Sequence, residues 1–162
     1  MNTAPSPARL GRVASLHLHP LVAGELFQKV TNFEVVADKG IADNPRYFGR
    51  PTRRQVSLIE REQIAEHAAV LGLPAIAPGV VRANIETEGV NLIALIGRSI
   101  EIGDAVLLLY DARQPCAKMD AICPGLRDLM QNQRQGVLAQ VIQSGRITTG
   151  DAIMLAKGAE QT

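Results

Sequence analysis

Apolar and polar positions along this chain alternate in short runs broken by glycine and proline, a pattern of strands more than of helices. Residues 11–19 are rich in Val and Leu and alternate weakly, predicting a first strand that Pro20 stops. Residues 32–37 predict a second strand before the Lys39-Gly40 turn, and residues 55–59 a short apolar third. Over residues 80–85, Val81, Ala83 and Ile85 alternate with Arg82 and Asn84, and Glu86 continues the polar set. Period two puts those three polar side chains on one face, as the wet side of a sheet or as the wall of a polar pocket. An apolar run from Leu107 ends in Arg113-Gln114-Pro115-Cys116, where Pro115 lacks the donor a continuing strand needs. Residues 137–143 are apolar in both parities, which predicts a central strand buried on both faces.

Two stretches carry a helical period instead. In residues 60–71, Ile64, Ala68 and Leu71 share a face, Gly72 sits at the C-terminal cap position and His67 is expected to face solvent. In residues 124–131, Pro124 opens a short helix that turns Leu126, Leu129 and Met130 inward. There is a weak internal echo: GRSIEIGDAVL at 97–107 and GRITTGDAIML at 145–155 both read as hairpins about a Gly-Asp turn. Eight or nine strands against two evident helices predict a mainly β fold, a closed or strongly bent β-barrel with two or three small peripheral helices. Residues 11–157 are expected to form one domain, after a disordered lead-in at 1–10 and before a tail at 158–162.

Charge narrows the partners. Seventeen basic and sixteen acidic residues leave +1, and aromatics make up 3% with no Trp, so neither a bulk grip on nucleic acid nor a base-stacking platform is expected. No apolar run reaches membrane-spanning length, and MNTAPSPARL has no apolar signal core. With two cysteines and no zinc-ligand spacing, a cytoplasmic protein with reduced thiols is the simplest expectation. No Walker loop, no G-x-G-x-x-G and no Ser/His/Asp arrangement is present.

Three local features bear chemistry. Residues 42–55 form an irregular loop with Arg46, Arg50, Arg53 and Arg54 and no acid after Asp43, either a solvated basic loop or an anion site. Arg113 and Lys118 flank Cys116 and favour its thiolate, although a lone cysteine is also a common small core residue. His17 and His19 share a strand face but have no third ligand nearby, so they are expected as surface or edge histidines.

Several pieces stand in a recognisable order. They are RRQVSLI at 53–59, PGVVRANI at 78–85, Gly103-Asp104, Pro115-Cys116, Pro124-Gly125-Leu126, GVLAQV at 136–141 and Gly150-Asp151. Over residues 11–155 this arrangement resembles the MOSC domain, named for the C-terminal region of molybdenum cofactor sulfurase. The resemblance implies a barrel of the pyruvate-kinase type. It also implies binding or sulfuration of a molybdopterin-type molybdenum cofactor, and in some members reduction of N-hydroxylated compounds. Relatives include standalone bacterial proteins, the 6-N-hydroxylaminopurine resistance proteins and part of the mitochondrial amidoxime-reducing component. The family's hallmark cysteine falls on Cys116, not Cys123, which implies a catalytic and metal- or sulfur-ligating role for Cys116. It further implies that Arg50, Arg53 and Arg54 clamp the cofactor phosphate, that Arg82 and Asn84 meet the pterin, and that Arg113 and Lys118 keep the thiolate. The partner is then an anionic cofactor or small-molecule substrate, with a separate electron-transfer protein for a reductase, and neither nucleic acid nor membrane. A non-enzymatic carrier of cofactor or sulfur, or a barrel that binds a small anion and keeps Cys116 structural, are the alternatives.

Overall fold

The computed structural model describes residues 9–115, 118–122, 124–131 and 133–156. Strands β1 (Arg9–Leu18), β2 (Gln28–Val30), β3 (Asn32–Val36), β4 (Gly40–Ile41) and β5 (Val56–Glu60) precede helix α1 (Arg61–Val70). After β6 (Ile85–Glu88), β7 (Ser99–Ile102) and β8 (Ala105–Ala112) come α2 (Lys118–Ile122) and α3 (Leu126–Leu129). The chain then closes with β9 (Val137–Gln143), β10 (Gly145–Thr148) and β11 (Ala152–Leu155). Seven strands form a barrel in the order β11-β7-β8-β9-β5-β6-β1, closed by β1 pairing with β11. Its neighbours are antiparallel except β5 and β6, which run parallel because α1 carries the chain across between them. A small sheet, β10-β3-β4, lies beside the barrel, and β2 extends it from β1.

The interior is filled by side chains such as Leu16, Leu58, Ile85, Ile102, Leu107 and Val141, all buried. A second core forms outside it, where Ile59 meets Ile64 and Ala68 of α1, Met119 of α2 and Leu126 and Met130 around α3. Leu58 and Ile59 are neighbours on β5 and belong to different cores, so that strand is apolar on both faces. Each such buried side chain contributes roughly 1.5–3 kcal/mol. Gly136, at φ 83°, permits the close approach of β9 to β5: an added Cβ would overlap the Leu58 carbonyl oxygen and lie 2.9 Å from the Ile59 Cα.

The mainly β barrel with small helices is as the residue pattern predicts. Helix α1 ends as expected, with Gly72 at φ 73° and the Leu73 N–H donating to the Ala68 carbonyl at 2.9 Å. The 97–107 hairpin is present, with Ile102 opposite Ala105. Other expectations are corrected. Residues 80–84 are a turn, not a strand, because Arg82 adopts φ 65° and breaks the alternation; β6 starts at Ile85. The 145–155 segment is not a hairpin: β10 pairs with β3, and β11 with β7 and β1. Asp151 turns that corner, its carboxylate accepting from the Thr148 N–H at 2.8 Å. Strand β9 is buried on both faces only at its start; Ile142 is 48% exposed, since α1 packs on β5 and β6 and leaves the end of β9 uncovered. His67 is buried, its Nε2 donating to the Arg134 carbonyl at 3.0 Å. Helix α3 starts at Leu126, after Gly125 in a left-handed conformation, so Pro124 lies outside it. Strand β1 already runs from Arg9, and the rest of the expected lead-in, together with residues 157–162, lies outside the described residues. Among the described residues no helix is long and apolar enough to cross a membrane.

Candidate functional site

At one end of the barrel the 42–55 loop, the start of β5, the 79–84 turn and the end of β8 surround a cavity of about 360 Å³. The loop is anchored by Asn44, which is buried and whose Oδ1 accepts from the His19 backbone N–H at 2.7 Å. Gln55 ties it to the barrel: its Nε2 donates to the Thr52 carbonyl at 2.8 Å and its Oε1 accepts from the Val141 N–H at 2.9 Å. The irregular loop is therefore held firmly at both ends.

Four arginines line this cavity: Arg50, Arg54, Arg82 and Arg113. No carboxylate lines it among the described residues. Arg113 is buried and donates from Nη2 to the Arg82 carbonyl at 2.8 Å and from Nη1 to the Val81 carbonyl at 3.3 Å. Those two bonds hold the turn that gives Arg82 its left-handed backbone. The Arg82 guanidinium then lies 5.0 Å over the Phe27 ring, and that of Arg50 lies 4.8 Å over Tyr47. Between these rings sits His19, 4.4 Å from Phe27 and stacked on Tyr47 at 3.8 Å.

His19 has a defined tautomer. The backbone N–H of His19 can only donate, so the Asn44 atom facing it is oxygen; Nδ1, 3.0 Å from the same oxygen, must then carry the proton. Nε2 is left as an acceptor. Burial lowers the His19 pKa to about 4, helped by the charges of Arg82, Arg113 and Arg46 and opposed by the Asn44 bond. The imidazole is neutral at physiological pH and can receive a hydrogen bond in the midst of cations.

Asn84 also faces the cavity, but most of its bonding capacity is internal. Its Oδ1 accepts from Ser57 N–H at 3.1 Å and its Nδ2 donates to the His17 carbonyl at 3.1 Å, which leaves one amide hydrogen for a ligand. Glu86 does not join Arg82 and Asn84, contrary to the shared face that alternation predicts. It is buried beneath the turn, its carboxylate accepting from Arg61 Nη1 at 2.7 Å and from the Gly79 N–H at 2.7 Å. His17 is buried there too, with Nδ1 donating to the Ala83 carbonyl at 3.0 Å; burial pushes its pKa down against the pull of Glu86. His17 is therefore buried rather than at the surface, His19 is half-buried in the cavity wall, and no group of three metal-ligating side chains forms among the described residues.

The structure thus brings Arg50, Arg54, Arg82, Asn84 and Arg113 to one cavity. It places Arg53 elsewhere, 4.3 Å over the Tyr110 ring with Nε donating to Gln140 at 3.4 Å. Lys118 opens α2. Cys116 and Cys123 lie outside the described residues. Sequence reasoning missed His19, Asn44, Phe27 and Tyr47 as wall residues. The available signal was Tyr47 set between Arg46 and Arg50 in a chain with only five aromatic residues.

The model of one family, the MOSC domain, matches residues 18–154 of the chain. No curated protein matches it. Among solved structures, the YuaD protein from Bacillus subtilis superposes with a TM-score of 0.72 at 20% identity, covering 91% of this chain and 96% of that one. YiiM from Escherichia coli superposes with a TM-score of 0.66 at 20% identity, covering 90% and 70%. YiiM from Geobacillus stearothermophilus gives 0.66 at 19% identity, covering 91% and 74%. At such identities these likenesses establish the shared fold.

Proposed function

The chain belongs to the MOSC domain family, and from that premise we propose that it holds a molybdopterin-type cofactor in the arginine cavity and reduces N-hydroxylated compounds. One observation carries this reading: four guanidinium groups line one cavity that no described carboxylate shares. Their positive charge attracts an anion, and the planar forks of arginine suit phosphate oxygens. The volume of about 360 Å³ falls within the range of small-molecule sites.

In this reading Arg50 and Arg54, on the anchored loop, take the cofactor phosphate. Arg82 and the remaining amide hydrogen of Asn84 meet the polar edge of the pterin. When bound, the cofactor supplies a two-electron redox centre, and the protein supplies binding and orientation. Cys116 provides the sulfur ligand; its neighbours in sequence, Arg113 and Met119, both line the cavity, and positive charge there favours a thiolate. His19, neutral with Nε2 unprotonated, accepts a hydrogen bond from the substrate's N–OH or N–H group. Electrons arrive from a separate electron-transfer protein, in the cytoplasm.

The test is elemental analysis of protein purified from a cofactor-competent host, together with affinity for inorganic phosphate in the cofactor-free form. Molybdenum in the wild type, lost in Cys116→Ser, and phosphate affinity reduced in Arg54→Ala are the expected results. Protein that carries no molybdenum and ignores phosphate would overturn the reading. Bound cofactor without turnover under any reductant would assign a carrier instead.

A further inference from the structure

A second cavity, of about 460 Å³, adjoins the first, and its wall is mostly apolar: Leu26, Phe27, Val80, Ala121 and Ile122 line it, with Glu25 as its one carboxylate among the described residues. Phe27 and Arg82 line both cavities. The Arg82 guanidinium lies 5.0 Å over the Phe27 ring, so the boundary between the two is a cation in contact with an aromatic face. That boundary is braced, because Arg113 bonds the Arg82 carbonyl at 2.8 Å and the Arg82 backbone is held at φ 65°. The loop that leads to it exposes apolar side chains to an unusual degree, Leu21 at 80%, Val22 at 58% and Leu26 at 78%. Buried core explains none of these three. Apolar walls next to a guanidinium cluster match a ligand with two unlike ends.

We propose that the second cavity binds the flat apolar body of the substrate, whose single polar end crosses the Arg82–Phe27 boundary toward the arginine cavity. The inference rests on the anion-binding reading of the first cavity and adds the substrate class. That class is an aryl or similarly apolar compound with one polar or anionic head, as opposed to a polyhydroxylated or sugar-like one. Phe27 contributes to the apolar wall shared by both cavities, and Arg82 the charge that orients the head. Water in an apolar cavity lacks partners, so displacing it by an aromatic ring is favourable.

Three probes separate the parts: inorganic phosphate, 2-naphthyl phosphate and 2-naphthol, titrated against cofactor-free protein by calorimetry and amide NMR. The naphthyl phosphate is expected to bind at least about tenfold more tightly than phosphate, because its ring loses apolar surface to water. It should also shift the amides of Val80 and Ala121, which phosphate alone leaves in place. The exposed, uncharged variants Leu26→Asn and Ala121→Asn should remove most of that gain while leaving phosphate affinity as it was. Arg54→Ala should weaken phosphate and naphthyl phosphate together. Phosphate binding without any gain from the naphthyl group, or a gain that both apolar variants leave intact, overturns this inference alone. Absence of phosphate binding to the wild type overturns the anion site on which it rests.

Discussion

The guanidinium of Arg113 donates to the backbone carbonyl of Arg82 at 2.8 Å, so one arginine holds the turn from which another reaches the cavity. Arg113 comes from the end of β8 and Arg82 from the crossover between α1 and β6, so the bond also ties the barrel to its outer layer. A lysine keeps the charge but has one nitrogen in place of the planar fork whose Nη1 and Nη2 bond the Val81 and Arg82 carbonyls separately. Arg113→Lys is expected to cost about 2 kcal/mol of stability and to weaken phosphate binding several-fold. Urea unfolding and calorimetry measure the two effects, and a variant with wild-type midpoint and affinity would show that the turn holds itself.

The two arginines that stand side by side in sequence should behave differently. Arg54 lines the cavity, whereas Arg53 lies over Tyr110. Arg54→Ala should reduce phosphate affinity about tenfold, and Arg53→Ala by no more than about twofold, the residue of a screened, more distant charge. Equal losses in the two variants would contradict the placement of Arg53.

Glu86 is fully buried and its charge is balanced by Arg61 at 2.7 Å. Arg61→Ala leaves that carboxylate uncompensated and should cost about 3 kcal/mol in urea unfolding. Arg61→Ala combined with Glu86→Gln should recover part of the loss, since the stranded charge is then gone. A double variant no more stable than Arg61→Ala would count against the buried pair as the cause.

His17 and His19 both titrate below their ordinary value of 6.5, His19 at about 4. As pH falls from 6.5 toward 4, the unfolded chain takes up protons that the folded imidazoles refuse. Stability from this source is therefore complete above pH 6.5 and declines on acidification through that window. Glu60, pushed up by burial, acts in the opposite sense, so His19→Gln isolates the imidazole. The urea midpoint should drop between pH 7 and pH 4.5 in the wild type and drop less in His19→Gln; identical profiles would refute the assignment.

Gly136 is the position where a single methyl should do most harm. Its φ of 83° disfavours any side chain, and a Cβ would overlap the Leu58 carbonyl at the β5–β9 seam. Gly136→Ala is expected to cost more than about 3 kcal/mol or to abolish folding. A thermal midpoint within a few degrees of wild type would show that β9 can shift aside.

Much of the architecture was legible because local rules suffice for it. Hydrophobic period located β1, β3, β5, α1 and β9, and Gly72 marked the end of α1 before any partner was known. Pairing was less legible. The Gly-Asp echo looked like two hairpins, yet only 97–107 is one, because β10 and β11 each found better neighbours in strands far away in sequence. The site was half legible in the same way: the density of Arg50, Arg53 and Arg54 marked the loop as either a solvated basic loop or an anion site, but not which arginine faces the cavity.

Sequence alone determined the barrel class, the family resemblance and the residue types that an anion would need. Tertiary structure decided which of them meet: it turned Arg53 onto Tyr110, sank Glu86 beneath the turn with Arg61, and drew His19 and Asn44 into the wall. The physical reason is that side-chain direction at Arg82 depends on one left-handed backbone angle, held by a guanidinium 31 residues away. No local pattern encodes a bond of that kind, because it forms only once β8 and the turn before β6 have been packed together.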